Sequence, residues 1–291
     1  MIKGSIVALI TPFHEDGTVN FEKLGELLEF HISNSTDGIL VLGTTGESTT
    51  MTHEEDDAVV EYTLKKVAGR VPVIAGSGSN DTKTMIDKSV KYADMGVDAL
   101  LTITPYYNKA NEEGMIRHFT EVADRASAPC ILYNVPGRTG CSLSVKAVER
   151  LSRHPNIIGI KEASGNISYA ASIAHCLSDD FVMYSGNDDI VVPMMSLGSS
   201  GVISVFANTN PKEAHDMVDL WLKGEHQKSL DIQLKYLDYI HALFCEVNPI
   251  PVKAALNAMG MGVGGYRLPL YEMAEKNHEH LLDEMRKVGL L

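Results

Sequence analysis

The chain has 291 residues, 44% of them hydrophobic and 22% charged, with a formal net charge of −13 at pH 7. That length suits one large α/β domain or two ordinary ones, and the composition is that of a globular protein. The acidic balance opposes binding to nucleic-acid backbones and gives no long-range pull on an anionic substrate, so any anion site must be local. The four cysteines, Cys130, Cys141, Cys176 and Cys245, form no C-x-x-C pair and no disulfide framework. The first apolar run stops at His14-Glu15-Asp16, too early for a signal peptide. No run reaches the roughly 18 apolar residues of a membrane helix. The expected location is a reducing cytoplasm, with no membrane and no nucleic-acid partner.

Taken in chain order, short apolar runs alternate with longer amphipathic ones. The apolar runs cover 5–13, 38–43, 71–76, 99–104, 129–133, 157–160, 181–185 and 201–206. Most are rich in Val and Ile and almost continuously apolar, as strands covered on both faces must be. Helix-length segments lie between them at 21–34, 53–68, 83–95, 115–126, 144–153 and 168–177, and Thr52 with Glu55 predicts a capping box opening the second. Eight βα alternations predict an α/β fold, a parallel (β/α)8 TIM barrel. An open doubly wound sheet is the alternative. After Asn208 the strand signals stop, and 212–223, 227–244, 251–259 and 271–288 read as helices. The expected division is a catalytic barrel at 1–224 and a C-terminal helical module at 225–291, packed on the barrel.

In such a barrel the chemistry sits where strands end. Lys161 extends the run at 157–160, so its stem leaves a buried strand. With strict alternation, Ile157, Gly159 and Lys161 share one face, and Gly159 leaves room beneath the lysine. An ordinary lysine is neutral in only about one molecule in 2,500 at pH 7. A nucleophilic lysine therefore needs surroundings that disfavour its cation, as a barrel mouth can provide. A strand-end lysine paired with Glu162 or reaching solvent is the plainer reading of that residue alone. Tyr133 ends another strand, where a phenol beside an amine can shuttle protons or simply fill the core. Thr44 and Thr45, between Gly43 and Gly46, offer hydroxyls and close N–H approach to a carboxylate. Pro136-Gly137 turns the chain and sets Arg138 just past a strand, where a guanidinium can hold a second carboxylate.

Other signals carry less. Gly260-Met261-Gly262-Val263-Gly264-Gly265 satisfies G-x-G-x-x-G but follows a helix rather than a strand, and so reads as a loop. None of the eleven histidines has zinc-ligand spacing. No Gly-rich phosphate loop follows the seventh or eighth run, which argues against a phosphorylated substrate.

Three motifs in order, Gly43-Thr44-Thr45-Gly46-Glu47, Tyr133-Asn134-Val135-Pro136-Gly137-Arg138-Thr139-Gly140 and Lys161-Glu162-Ala163-Ser164-Gly165, resemble the signatures of the dihydrodipicolinate synthase family. The resemblance runs nearly end to end. It implies a class I aldolase that needs no cofactor and no metal. Pyruvate would form an imine, then an enamine, on Lys161, and the enamine would condense with aspartate 4-semialdehyde to give 4-hydroxy-tetrahydrodipicolinate, on the route to diaminopimelate and lysine. By the same resemblance Tyr133 relays protons with Thr44 and with Tyr107 from a neighbouring subunit. Thr45 holds the pyruvate carboxylate, Arg138 receives that of the aldehyde, and backbone at Gly186 and Ile203 borders the lysine. Similar barrel lyases for sialic acid lack the Pro-Gly-Arg-Thr-Gly sequence, so Arg138 favours a small carboxylated aldehyde over the alternative, another pyruvate-dependent aldolase acting on a sugar acid. With all these residues present, a catalytically idle binding barrel is disfavoured.

The resemblance also implies a homotetramer, a dimer of dimers, with a regulatory lysine pocket at its interface. Ser48, His53, Asn80 and Tyr106 match that pocket. Asp56 replaces a usual His and Thr84 a usual Glu. Thr84 offers no charge to a ligand ammonium, whereas Asp56 is a candidate to compensate. Weak or absent inhibition by lysine is expected.

Overall fold

The structure, a computed structural model, describes residues 2–291. Eight parallel strands close on themselves in sequence order: β1 (Gly4–Ala8), β2 (Gly38–Val41), β3 (Val73–Gly76), β4 (Ala99–Ile103), β5 (Cys130–Asn134), β6 (Ile157–Glu162), β7 (Val182–Ser185) and β8 (Gly201–Ser204). The chain is therefore a (β/α)8 barrel, and the open-sheet alternative is excluded by the pairing of β1 with β8.

The helices that cover it are α1 (Phe21–Ser33), α2 (His53–Val67), α3 (Thr82–Met95), α4 (Glu112–Arg125), the single turn α5 (Pro136–Thr139), α6 (Val145–Leu151), α7 (Ile167–Ile173), α8 (Val191–Ser196) and α9 (Pro211–Leu222). Local chemistry sets where they start. Asn20, Asp81, Asn111, Ser144 and Asn166 each accept a backbone N–H from the first turn, and Thr52 with Glu55 forms the predicted capping box. Helix α4 shows the packing rule: Met115, Ile116, Phe119, Val122 and Ala123 recur at three- and four-residue intervals and face the sheet. Three more helices follow: α10 (His226–Ala242), α11 (Ile250–Ala258) and α12 (Glu275–Val288).

Two cores result. The outer one lies between sheet and helices, and the inner one fills the barrel with Ile6, Leu40, Ile74, Ile131, Tyr184 and their neighbours. Two sequence expectations are corrected here. The first strand stops at Ala8 rather than running on to Phe13, because the Asn208 side chain takes the Ile10 N–H and donates to the Ala8 carbonyl, ending the ladder. Strand β6 carries a bulge: Cys130 pairs with Ile157, but Ile131 pairs with Gly159. Ile157 consequently packs in the outer core and Ile158 against the inner one, so Ile157 does not share the face of Gly159 and Lys161. Beyond the bulge the alternation resumes, and Lys161 falls beside Tyr133.

Candidate active site

Loops after β2, β3, β4 and β5 enclose a cavity of about 250 Å³ at the C-terminal mouth of the barrel. Its wall includes Thr44, Ser48, Tyr106, Tyr133 and Arg138. Lys161 and Thr45 are outside that wall and buried. The Lys161 Nζ lies 4.5 Å from the centroid of the Tyr133 ring. Among the described residues no carboxylate stands within ion-pairing distance of it, so the expected alternative, a pair with Glu162, is not formed. Glu162 points to the opposite side of β6. There its carboxylate accepts from Asn134 Nδ2 at 2.7 Å and from the Ser164 N–H at 2.7 Å, and burial raises its pKa against those bonds. Since Asn134 pairs with Glu162 just as Tyr133 pairs with Lys161, this latch holds the two strand ends in register.

The turn bearing the threonines is tightly made. Residues Thr44–Gly46 and Ser48–Thr50 form two 3₁₀ turns joined at Glu47, whose φ is +54°. Leu42 is also left-handed, at +58°, and its carbonyl lies where a β-carbon on Gly76 would have to sit, 2.1 Å away. Only glycine at position 76 lets β3 approach that loop.

Arg138 projects from α5 and donates to the main-chain carbonyl of Asn248 at 3.0 Å. Gly186 follows β7 and donates its N–H to the Glu162 carbonyl at 2.7 Å. A β-carbon there would stand 2.5 Å from that of Ala163. Ile203 is buried in the inner core. Tyr107 is not brought to the cavity: it is 90% exposed, with φ +72°.

Of the candidate regulatory residues, Ser48 and Tyr106 share the cavity wall, and Asn80 donates to the Tyr106 carbonyl at 3.1 Å. His53 is exposed at the start of α2. The role suggested for Asp56 needs correction. Its carboxylate is buried and paired with Lys88 at 2.8 Å, so it is committed inside the chain rather than free for a ligand. Burial raises its pKa, and Lys88 opposes the shift. Thr84 is spent on the α3 cap, bonding to Asp81.

Three features escaped the sequence reading. Asp188 is fully buried and accepts from Ser204 Oγ at 2.5 Å and from the N–H groups of Val205 and Phe206; burial raises its pKa, opposed by those bonds and by the field of Lys161. Asn248 donates from Nδ2 to Thr45 Oγ1 at 2.9 Å. Lys253 on α11 pairs with Glu47 at 2.8 Å, both side chains at 0% exposure. The last two span about two hundred residues, a separation that no local pattern reports.

A closed parallel barrel with polar side chains gathered at the C-terminal mouth and a lysine at the end of β6 has the layout of a barrel enzyme. The chain belongs to the dihydrodipicolinate synthetase family, whose model matches residues 1–287. It is 51% identical over 292 residues to the 4-hydroxy-tetrahydrodipicolinate synthase of Thermoanaerobacter pseudethanolicus, covering 100% of this chain and 98% of that one. Its fold superposes on dihydrodipicolinate synthase from Aquifex aeolicus with a TM-score of 0.96 at 42% identity, covering 99% and 98% of the two chains. A chloride-inhibited dihydrodipicolinate synthase from Acinetobacter baumannii, solved in complex with pyruvate, gives a TM-score of 0.97 at 40% identity and full coverage of both chains.

Proposed function

We propose that the chain catalyses the 4-hydroxy-tetrahydrodipicolinate synthase reaction, condensing pyruvate with L-aspartate 4-semialdehyde in the biosynthesis of diaminopimelate and lysine. Full-length relatives at about half identity carry that activity in their names. The observation that carries the reading is Lys161, buried at a strand end beside the Tyr133 ring, with no carboxylate among the described residues paired to it.

In this reading the neutral Lys161 amine adds to the ketone carbon of pyruvate. Loss of water leaves an imine, and removal of a methyl proton gives the enamine. The enamine carbon bonds to the aldehyde carbon of the second substrate. The amine of that substrate then displaces Lys161 from the imine carbon, closing the ring and freeing the lysine. Tyr133, with Thr44 and a Tyr107 supplied by a second subunit, passes the protons. The exposure of Tyr107 suits a side chain that completes a neighbour's site. Thr45 receives the pyruvate carboxylate, Arg138 that of the aldehyde, and Gly186 and Ile203 border the lysine. Ser48, His53, Asn80 and Tyr106 form the remnant of a regulatory pocket.

The same reading takes the chain as a homotetramer in the cytoplasm, with residues 1–224 as the catalytic barrel and 225–291 as a helical module packed on it. Among the described residues no helix is long and apolar enough to cross a membrane. The reading is tested by borohydride reduction in the presence of pyruvate, followed by peptide mass analysis. A reduced pyruvyl adduct should appear on Lys161. An adduct elsewhere, or none, refutes it.

A further inference from the structure

We infer that Asn248 and Lys253, from the segment beyond the barrel, are positioning residues that set where the Thr44–Thr45 turn presents its hydroxyls. The inference rests on the reading of Thr45 as the pyruvate carboxylate's partner. Each of the two 3₁₀ turns hinged at the left-handed Glu47 is closed by its own short-range backbone bonds, which fix its local shape but not its placement against the rest of the chain. Its placement is set by contacts from outside. Asn248 Nδ2 donates to Thr45 Oγ1 at 2.9 Å. The Glu47 carboxylate accepts from Lys253 Nζ at 2.8 Å on one oxygen and from the Arg267 N–H at 3.3 Å on the other. Lys253 Nζ also donates to the Thr11 carbonyl at 3.2 Å, while Thr11 Oγ1 donates to the Gly46 carbonyl at 2.7 Å. Every residue from Thr45 to Glu47 is thus held by a contact from another part of the chain.

A fully buried ion pair adds little net stability over an apolar pair of equal volume. What it adds is direction, and here the direction belongs to Glu47, the hinge between the two turns. Asn248 has a second attachment. Its main-chain carbonyl accepts from Arg138 Nη2 at 3.0 Å, so its side chain serves the pyruvate end of the site and its backbone the aldehyde end. A side-chain substitution severs only the first.

The test compares Asn248→Ala, Thr45→Val, their double variant and the neutral pair Glu47→Gln/Lys253→Met. Losing one orienting hydrogen bond should raise the pyruvate KM about five- to ten-fold in Asn248→Ala, with the aldehyde KM and the melting midpoint little changed. Thr45→Val should raise the pyruvate KM at least as much. The double variant should be no worse than Thr45→Val, because Asn248 acts through Thr45. The neutral pair avoids a stranded charge and should show the same selective rise. An unchanged pyruvate KM in Asn248→Ala, with a raised one in Thr45→Val, overturns the inference alone. Equal rises in both KM values for Asn248→Ala overturn it too, since general loosening is not positioning. An unchanged pyruvate KM in Thr45→Val overturns the reading of Thr45 and the inference with it. Asn248→Ala leaves no buried charge, so it decides the matter even if the paired variant does not fold.

Discussion

Tyr133 and Lys161 are Cα partners across β5 and β6, and the lysine nitrogen rests 4.5 Å from the centre of the tyrosine ring. The pairing follows from the bulge at Ile157 and Ile158, which brings Gly159 opposite Ile131 and therefore Lys161 opposite Tyr133. The two groups are neighbours because the ladder makes them so.

Tyr133→Phe keeps the ring beside the lysine and removes only the hydroxyl. Turnover should fall about 10²-fold or more, the usual contribution of a positioned proton carrier, while the fold and the melting midpoint stay close to the parent's. Steady-state kinetics with circular dichroism checks this. Turnover within a few-fold of the parent would remove Tyr133 from the proton path.

Arg138→Ala should raise the aldehyde KM about 10- to 100-fold, the range for a hydrogen bond to a charged group worth roughly 1.5 to 3 kcal/mol. Borohydride trapping with pyruvate should survive largely intact. Equal loss of trapping and of aldehyde use would end the assignment of Arg138 to the second substrate.

Lysine should inhibit weakly or not at all. The Asp56 carboxylate already faces an ammonium, that of Lys88, and Thr84 is engaged with Asp81. Half-maximal inhibition is expected above about 1 mM, corresponding to binding weaker than about −4 kcal/mol. A titration at fixed substrate that reaches half-inhibition well below that concentration contradicts this.

His31 predicts a pH dependence of stability. It lies buried in α1, with Nδ1 3.1 Å from Thr36 Oγ1 and no partner for Nε2, and burial lowers its pKa from 6.5 to about 3. Between those values the unfolded chain binds the proton and the folded one does not, so stability is intact above pH 6.5 and falls as pH drops toward 3. At the steepest the slope is about 1.4 kcal/mol per pH unit, or roughly 2 kcal/mol lost by pH 5. His31→Gln should lose that share of the acid sensitivity. Denaturant unfolding of both chains at pH 7.5 and pH 5 measures the difference, and equal slopes would rule His31 out.

Much of this is legible in the sequence. The eight apolar runs gave the strand count because parallel strands are covered on both faces, and the capping box at Thr52 came from spacing alone. Lys161, Tyr133, Thr44 and Arg138 stand out in the sequence because the first two lie at strand ends and the other two in the turns just beyond strands. The bulge in β6 was hidden, since a slip of one residue between two Ile residues leaves no trace in hydrophobicity. The pairing of Asp56 with Lys88 was equally hidden: two helices must pack before their charges meet. Asn248, Lys253 and Asp188 were missed because their partners are remote in the chain or are main-chain groups that every sequence has.

Lys253 and Glu47 meet across 206 residues with both side chains fully buried. During synthesis, the strand β8 that closes the ring is made well before the chain reaches Lys253. Until then the Glu47 carboxylate has no cation to accompany it out of water, and a lone carboxylate is costly to bury. A ring closed before Lys253 is made would therefore leave the Glu47 side of its mouth in water until α11 docks.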